Sequence, residues 1–380
     1  MLHRRSILAL PLATAPLATA PLAISALARP ALAQAGWPRS VTDMVGRGVT
    51  LPRPPRRVVA AESAVLLNLS LIHPDPVPLL VGMGGDLRRI DPGAMAALAA
   101  RFPGLDAVPE LTRQVGEDLP LERLIALAPD LVLMAAWQHR RPGTAEALRT
   151  LERAGIPVVF IDFFINPLSR ALPSLQLLAE VLDRREAAAT YAGFYTARLE
   201  AVRRAVAGRP GPAVLLQAFP GRWPCCWVAG DQGGGELVAA LGGRNAAEGQ
   251  LPGPSGGNLS VEQVLVTEPE VYIGTGMAQP PEGSAALRLG WGVAPEVARR
   301  SLAQALRAPE LAHLPAVRQG RAFGLWNYLG GTALNVVALE AMAGWLYPEL
   351  AATLDPAATL AEINARFAAA PWQGTFWTAA

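Results

Sequence analysis

The strongest hydrophobic pattern lies near the middle of the chain. Apolar residues recur there at spacings of three or four, which places them on one face of an α-helix: Tyr191, Tyr195, Leu199, Val202 and Val206. The pattern predicts one long helix over residues 184–206, with Asp183 as its N-cap and with Gly208 and Pro210 ending it. At about 1.5 Å per residue this helix spans roughly 35 Å, the width of a small domain. It is therefore either a core helix of one domain or a strut between two lobes.

Short continuous apolar runs alternate with helical segments on both sides of this helix. Strands are predicted at residues 56–61, 79–82, 131–136, 157–161, 213–218, 270–275 and 321–326. Continuous apolar strands separated by helices indicate parallel sheets that are covered on both faces. Ligands bind beyond the carboxyl ends of such strands, where the first half of the chain has Glu62, Gly84, Trp137, His139 and Asp162. The second half has Arg222, Trp223, Trp227, Met277, Trp326 and Tyr328 at the corresponding positions.

One short segment occurs twice, once on each side of the long helix. Glu122 and Glu262 are each followed seven positions later by a proline, then by an acidic residue and a β-rich run. This repetition favours two similar lobes joined by a strut over one large domain. The predicted boundaries are residues 37–183 for the first lobe, 184–208 for the bridging helix and 209–380 for the second lobe. The predicted fold class is α/β, with a mainly parallel central sheet flanked by helices in each lobe.

The N-terminal residues 1–33 have the pattern of an export signal. Arg4 and Arg5 precede an apolar stretch rich in Ala, Leu and Pro, and Ala31-Leu32-Ala33 provides a cleavage site. The paired arginines favour the twin-arginine route over the general secretory route. Removal of this leader changes the net charge from +2 to −1. No later apolar run is long enough to span a bilayer, so we expect a soluble periplasmic protein.

Composition narrows the function further. Hydrophobic residues make up 51% of the chain and charged residues 17%, which is typical of a packed globular protein. All 33 basic residues are arginine, so mechanisms that need a lysine are excluded. The near-neutral net charge and the lack of a basic run argue against a nucleic-acid partner. The sequence has neither a His-Glu-x-x-His motif nor a Gly-x-Gly-x-x-Gly motif after a predicted strand, so we do not expect an enzyme.

Several short motifs together resemble one known family. They are the opening residues Thr42-Asp43, Gly46-Arg47, Leu51-Pro52 and Pro55-Arg56-Arg57-Val58-Val59, the two glutamate–proline segments, Gly242-Gly243-Arg244-Asn245, Ala338-Leu339-Glu340 and Leu346-Tyr347-Pro348-Glu349. In the order and spacing of these motifs the chain is similar to the class III periplasmic substrate-binding proteins of ABC importers, the ferric-siderophore and cobalamin group. The resemblance implies two lobes bridged by one long helix, little closure on ligand binding, and delivery of the ligand to an inner-membrane permease.

The resemblance also implies roles for particular residues. In that family a surface glutamate on each lobe pairs with arginines of the permease, and the matching positions are Glu122 and Glu262. The implied ligand of this monomeric binding protein is an iron complex, a ferric siderophore, with cobalamin or haem as alternatives and no separate cofactor. The expected ligand contacts are acidic, aromatic and cationic residues near strand ends: Glu62, Trp137, Arg140, Arg222, Trp223, Trp227, Trp326 and Tyr328. Arg88 and Arg89 are weaker candidates.

Two further questions concern metals and cysteines. Direct binding of Zn or Mn would need Glu62, His139 and Asp162 to converge, and the second lobe offers no obvious partner for them. Cys225 and Cys226 are adjacent in the sequence. In an oxidising compartment they form a vicinal disulfide ring, two reduced core thiols or a soft-metal site. The sequence leaves these three states open.

Overall fold

Two sheets organise the chain, one before and one after a long central helix. The computed structural model describes residues 36–113, 115–222, 225–280 and 283–380, so the predicted export signal lies outside the described residues. The strands before the central helix are β1 (Arg39–Thr42), β2 (Gly48–Leu51), β3 (Val58–Ala60), β4 (Leu80–Gly84), β5 (Glu110–Thr112), β6 (Leu131–Ala135) and β7 (Val158–Ile161). The helices are α1 (Val65–Leu69), α2 (Asp86–Ile90), α3 (Pro92–Arg101), α4 (Leu121–Ala126), α5 (Thr144–Arg153) and α6 (Pro167–Val181). Short 3-10 helices cover Val77–Leu79, Pro103–Ala107 and Ala136–Arg140.

The first sheet is wholly parallel, with the strand order β5–β4–β3–β6–β7. Every residue of β3 and β7 is buried, because helices cover both faces of the sheet. Strand β3 lies in the centre, between β4 and β6, so the side chains that follow it lie at the middle of the carboxyl edge. Strands β1 and β2 form a separate antiparallel hairpin at the start of the described chain.

The central helix α7 covers Arg185–Val206, close to the predicted range. The predicted apolar face is buried: Tyr191, Tyr195, Leu199, Val202 and Val206. The predicted N-cap is wrong, because Asp183 has a left-handed φ of 58° and its carboxylate pairs with Arg39 at 3.0 Å. Arg184 occupies the N-cap position instead, without a side-chain cap. At the other end Gly208 has a φ of 72°, a conformation that favours glycine and ends the helix as predicted.

The second sheet is mixed. The strands after α7 are β8 (Ala213–Gln217), β9 (Trp227–Ala229), β10 (Arg244–Asn245), β11 (Gly256–Asn258), β12 (Val271–Gly276), β13 (Gly290–Trp291), β14 (Ala322–Trp326), β15 (Gly374–Thr375) and β16 (Trp377–Ala379). The helices are α8 (Gly234–Ala240), α9 (Val261–Leu265), α10 (Pro295–Ala305), α11 (Pro309–Ala312), α12 (Pro315–Arg318), α13 (Asn327–Gly330), α14 (Asn335–Leu346) and α15 (Pro356–Arg366), with a 3-10 helix at Pro348–Ala352. The sheet order is β11–β9–β8–β12–β14–β16, with β10 beside β8 and with β8, β12 and β14 parallel to one another. The predicted two-lobed α/β fold is confirmed.

Two elements differ from the sequence prediction. The pattern does not predict α6, because Pro173 lies inside this helix and interrupts the helical signal. The seven predicted strands also leave out β16, which follows α15 and pairs antiparallel with β14. None of the described helices is long and apolar enough to cross a membrane.

The repeated glutamate–proline segment has the same structure in both lobes. The carboxylate of Asp130 accepts the backbone N–H of Arg57 at 2.8 Å, and that of Glu270 accepts the backbone N–H of Ala213 at 2.9 Å. The residue before each proline adopts a left-handed conformation, with φ of 43° in the first segment and 40° in the second. In each lobe the acidic residue therefore joins the start of a central strand to its parallel neighbour, β6 to β3 and β12 to β8.

Buried hydrogen bonds link α7 to the second lobe and the second lobe to the first. The hydroxyl of Tyr195 donates to Asn335 Oδ1 at 2.6 Å, and Asn335 Nδ2 donates to the carbonyl of Pro167 at 2.7 Å. The hydroxyl of Tyr191 donates to the carbonyl of Ala333 at 2.6 Å. Pro167 begins α6 of the first lobe, whereas Ala333 and Asn335 belong to the second. Because buried polar groups are costly to leave unpaired, this network opposes any motion that separates the lobes at α7.

Candidate functional site

The carboxyl edges of the two sheets meet at Asp91, which lies between α2 and α3. Its Oδ2 atom accepts the indole N–H of Trp326 at 2.6 Å and the backbone N–H of Ala278 at 3.3 Å. Trp326 is the last residue of β14, and Ala278 follows β12. A carboxylate of the first lobe thus contacts the ends of two central strands of the second. Ligands of parallel sheets bind beyond the carboxyl ends of the strands. We call the space beside the contacts of Asp91 with Trp326 and Ala278 the cleft.

The first lobe contributes Glu62 and Trp137 to the cleft. Glu62 follows the central strand β3 and is partly exposed. The indole Nε1 of Trp137 donates to Glu62 Oε2 at 3.4 Å from the neighbouring 3-10 helix. These two residues follow adjacent strands, as the topology requires. The prediction that their side chains share one edge of the sheet agrees with this contact.

Asp86 is a buried carboxylate next to Glu62. It accepts the backbone N–H of Ser63 at 2.6 Å, the hydroxyl of Ser63 at 2.9 Å and the backbone N–H of Ala64 at 3.1 Å. Burial raises the pKa of Asp86, and these hydrogen bonds lower it. Asp86 therefore supports the turn that carries Glu62 rather than facing a ligand.

The second lobe contributes Arg222 and Tyr328. Arg222 is partly buried, its guanidinium lies 5.5 Å from the centre of the Phe219 ring, and its Nη1 contacts the sulfur of Met277 at 2.9 Å. Tyr328 is partly exposed and its ring centre lies 5.5 Å from that of Trp326. Phe219, Met277 and Tyr328 follow β8, β12 and β14, the three parallel strands of the sheet.

The charges of the cleft interact across the two lobes. Burial raises the pKa of Glu62 to about 8, with a further contribution from the negative charge of Asp86. Burial also raises the pKa of Tyr328 far above its ordinary value, and Asp86, Asp91 and Glu62 add to this shift. The pKa of Arg222 is lowered by burial, and Tyr328 opposes that shift. Charged groups of the first lobe therefore affect the pKa of Tyr328 in the second lobe.

Other predicted ligand contacts lie elsewhere. Trp326 is fully buried, so it supports the cleft from below and has no surface for a ligand. Arg140 is exposed, and its neighbour Arg141 is the residue whose guanidinium lies 5.7 Å from the centre of the Trp137 ring. Trp227 lies half-buried in β9 and packs against the hydrophobic core. Trp223 lies outside the described residues.

The predicted metal ligands of the first lobe do not converge. The Asp162 carboxylate accepts the backbone N–H groups of Phe164 and Ile165 at 3.1 and 2.8 Å and so shapes its own turn. His139 packs edge-on against Phe160, with 5.2 Å between ring centres. Among the described residues there is no cluster of three His, Cys, Asp or Glu side chains that could hold a metal ion. The weaker candidates are also engaged, because Arg88 pairs with Glu110 and Asp106 and Arg89 donates to the Arg113 carbonyl.

Sequence reasoning missed Asp86, Asp91 and Phe164. The acids follow β4 by only a few residues, but their burial and their partners depend on the second lobe and on the neighbouring turn. Phe164 is 56% exposed and lies at the junction of the lobes, because a side-chain carbon placed at Gly331 would lie 3.6 Å from its ring. The signal available in the sequence was the aromatic pair Phe163-Phe164, which follows the buried strand β7 and Asp162.

Cys225 and Cys226 are joined by a vicinal disulfide in the structure, with 3.1 Å between their Cα atoms. Cys226 is buried and exchanges backbone hydrogen bonds with Leu259, at 3.1 Å from its N–H and 2.9 Å to its carbonyl. Cys225 is partly exposed. The ring lies in the segment between Arg222 and Trp227 and anchors it to the neighbouring chain at Leu259.

One serine motif has no catalytic geometry. Residues 253–257 read Gly-Pro-Ser-Gly-Gly, which fits the pattern Gly-x-Ser-x-Gly of hydrolase elbows. Ser255 is exposed ahead of the short strand β11, and its hydroxyl lies 2.9 Å from the side-chain oxygen of Gln232. The strand–turn–helix context of a nucleophile is therefore missing at this serine.

Glu122 and Glu262 lie in the first turns of α4 and α9, and both side chains are exposed. The surroundings of the two glutamates differ. Beside Glu262 the side chains of Val261, Leu265 and Val266 are 38%, 37% and 70% exposed. Ser260 caps α9. Hydrogen bonds from the backbone N–H of Glu262 and from the Ser260 side chain lower the pKa of Glu262, so its carboxylate is ionised at neutral pH.

Comparisons with known proteins agree with this architecture. A vitamin B12-binding protein of Vibrio campbellii is 29% identical over 168 residues, which are 44% of this chain and 57% of that protein. A TroA-like periplasmic binding protein, FepB from Veillonella parvula, superposes with a TM-score of 0.79 at 22% identity over 90% of this chain and 99% of that one. MolA of Haemophilus influenzae, solved with molybdate, superposes with a TM-score of 0.67 at 16% identity over 88% of this chain and 99% of that one.

The family assignment rests on a match that spans the second half of the first lobe, the bridging helix and most of the second lobe. The model of the periplasmic binding protein family matches residues 111–329, which is more than half of the chain. That family consists of solute-binding proteins of ABC importers rather than enzymes. This chain belongs to the periplasmic binding protein family.

Proposed function

We propose that this protein is the periplasmic component of an ABC importer that captures an iron complex, a ferric siderophore, in the cleft and delivers it to the inner-membrane permease. The observation that carries the proposal is that the carboxyl edges of the two sheets meet at the Asp91–Trp326 contact, with Glu62 and Trp137 on the side of the first lobe and Arg222 and Tyr328 on the side of the second. Aromatic faces and a few polar groups in such a position suit a large, partly apolar ligand. Family membership supports periplasmic location, and the predicted signal of residues 1–33 supports export by the twin-arginine route.

Quenching of tryptophan fluorescence tests the ligand class. The mature chain is titrated with ferric siderophores, haem and cyanocobalamin, and we expect saturable quenching by an iron complex. Trp137→Phe is expected to remove much of this quenching, because the indole lies at the cleft beside Glu62. Trp345→Phe is the matched control, since its ring stacks on Phe323 near the start of β14 at 4.7 Å. Absence of quenching by every iron complex would reject the proposed ligand.

Cobalamin is the second candidate ligand. The relative from Vibrio campbellii that carries this name aligns with part of the chain, and a corrinoid also needs a wide cleft with aromatic walls. The same titration separates the two candidates. Saturable quenching by cyanocobalamin alone would favour the corrinoid.

We further propose that Glu122 and Glu262 dock the protein on the permease. Two exposed carboxylates on separate lobes can set both the orientation and the rate of docking. The exposed apolar side chains Val261, Leu265 and Val266 add a hydrophobic component on the second lobe. Alanine at either glutamate is expected to reduce uptake about fivefold in a deletion strain while ligand affinity stays unchanged. Glu152→Gln, at an exposed position of α5, is the control, and equal uptake by all three variants would contradict the docking role.

We also propose that the protein works as a monomer and closes little on its ligand. Helix α7 is continuous and has no loop that could absorb a large hinge rotation. The buried hydrogen bonds of Tyr191 and Tyr195 also hold it to the second lobe.

A further inference from the structure

The cleft has an excess of acidic over basic groups. Glu62, Asp86 and Asp91 of the first lobe influence Tyr328 electrostatically, and Arg222 of the second lobe opposes them. The guanidinium of Arg141 also lies near Trp137, but it pairs with Asp118 at 3.5 Å. The sequence led us to expect aromatic contacts with a few cationic residues, Arg222 and Arg140, for the negative charge of a ferric complex. The first lobe instead brings three carboxyl groups to its edge of the cleft, those of Glu62, Asp86 and Asp91.

The two aspartates carry the negative charge of this environment. Asp86 accepts three hydrogen bonds from Ser63 and Ala64. Asp91 accepts three from Ala94, Ala278 and Trp326, at 3.1, 3.3 and 2.6 Å. A carboxyl group that only accepts hydrogen bonds, from N–H and O–H donors, is typical of an ionised carboxylate. Both side chains are thereby committed to the protein, and neither has a role as a direct ligand contact.

Glu62 is in a different state. Its Oε2 atom accepts one long hydrogen bond, from Trp137 at 3.4 Å, and the side chain is only partly exposed. Burial beside Asp86 raises its pKa to about 8, which keeps the group mostly protonated at neutral pH. A protonated carboxyl group donates a hydrogen bond. Glu62 therefore offers a neutral O–H donor beside the buried Asp86, at the edge of the sheet where Trp137 also lies.

We propose that the cleft selects neutral or cationic ligands over polyanions, and that Glu62 is the selecting side chain through a hydrogen bond that its carboxyl group donates to an oxygen of the ligand. This inference rests on the proposed function and narrows its ligand class. A neutral ferric trihydroxamate fits, because its surface oxygens accept hydrogen bonds and it adds no net charge. A ferric tricatecholate is triply negative, and Asp86 and Asp91 repel it at short range in a partly desolvated site.

Titration of tryptophan fluorescence with three probes tests the proposal. The probes are a neutral ferric trihydroxamate, a ferric tricatecholate and cyanocobalamin, each added to the mature wild-type chain. We expect the trihydroxamate to bind at least about tenfold more tightly than the tricatecholate. Since binding needs protonated Glu62, we expect affinity for the trihydroxamate to fall about tenfold from about pH 7 to about pH 9. Glu62→Gln, which cannot ionise, is expected to abolish this pH dependence, whereas Glu152→Gln retains it.

The outcomes separate this inference from the proposed function. Equal or tighter binding of the tricatecholate, or wild-type affinity that does not change with pH, overturns the charge selection and leaves iron-complex binding intact. Binding of cyanocobalamin alone supports selection of neutral ligands and rejects the iron complex. Binding of none of the probes rejects both proposals. If circular dichroism shows that Glu62→Gln is unfolded, the comparison of the three probes and the pH dependence of wild-type binding still test the proposal.

Discussion

Glu340 offers a sharp test of how burial controls charge in the second lobe. This residue of α14 is 2% exposed, and its Oε2 atom has no hydrogen-bond partner among the described residues. Burial raises its pKa from 4.5 to about 7, while the positive charge of Arg198 on α7 lowers it. We predict that Glu340→Gln stabilises the protein at alkaline pH and has a much smaller effect at acidic pH.

The magnitude follows from the difference between the folded and unfolded states. A pKa raised in the folded state means that folding disfavours the ionised form, so stability falls as the pH rises from 4.5 towards about 7. Above about pH 7 the full penalty applies, and a shift of this size corresponds to about 3 kcal/mol. Glutamine removes this penalty, but the amide atom that takes the place of Oε2 also has no hydrogen-bond partner among the described residues. That second cost does not depend on pH, so the difference between two pH values isolates the charge.

Urea unfolding of wild type and variant at about pH 5 and about pH 8.5 measures this difference. We expect the variant to gain up to about 3 kcal/mol relative to wild type between the two conditions. Glu152→Gln is the control, because its side chain is exposed and its removal should give the same small change at both pH values. An equal effect of Glu340→Gln at both pH values would show that the group is neutral or ionised throughout, and would refute the argument.

Three further predictions concern the link between the lobes and the repeated segment. Tyr195→Phe should lower the free energy of unfolding by about 1–3 kcal/mol, because Asn335 loses its buried donor; Thr196→Val, on the exposed side of α7, should change it far less in the same urea titration. Small-angle scattering should show almost no change in radius of gyration on ligand addition, and a large decrease would contradict the proposed rigidity of α7. Asp130→Ala should cost about 1 kcal/mol, because the backbone N–H groups of Arg56 and Arg57 lose their acceptor. Asp118→Ala is the control, because the Asp118 side chain is 82% exposed. An equal loss of unfolding free energy in the two variants would contradict a structural role for the repeated segment.

The bridging helix and the sheet strands were predictable because their signals are local. A helix of period 3.6 and continuous apolar strands follow from the order of residues alone, and α7 and β6 appear where the pattern places them. The duplicated glutamate–proline segment revealed the two lobes for the same reason. Helix α6 escaped prediction because Pro173 breaks the local pattern, while packing against α7 supplies the stability that propensity lacks.

The composition of the cleft depended on tertiary structure. The sequence located Trp326 and Tyr328 two positions apart at a strand end, but only packing buries the first against Asp91 and leaves the second at the cleft. The same holds for Arg140, which points to solvent, while its neighbour Arg141 lies over Trp137. The sequence by itself determined the two-lobed scaffold, the strut and the carboxyl edge that we propose as the ligand site. Tertiary structure decided the charge of that edge, because burial and hydrogen bonds from distant residues set the state of Glu62, Asp86 and Asp91.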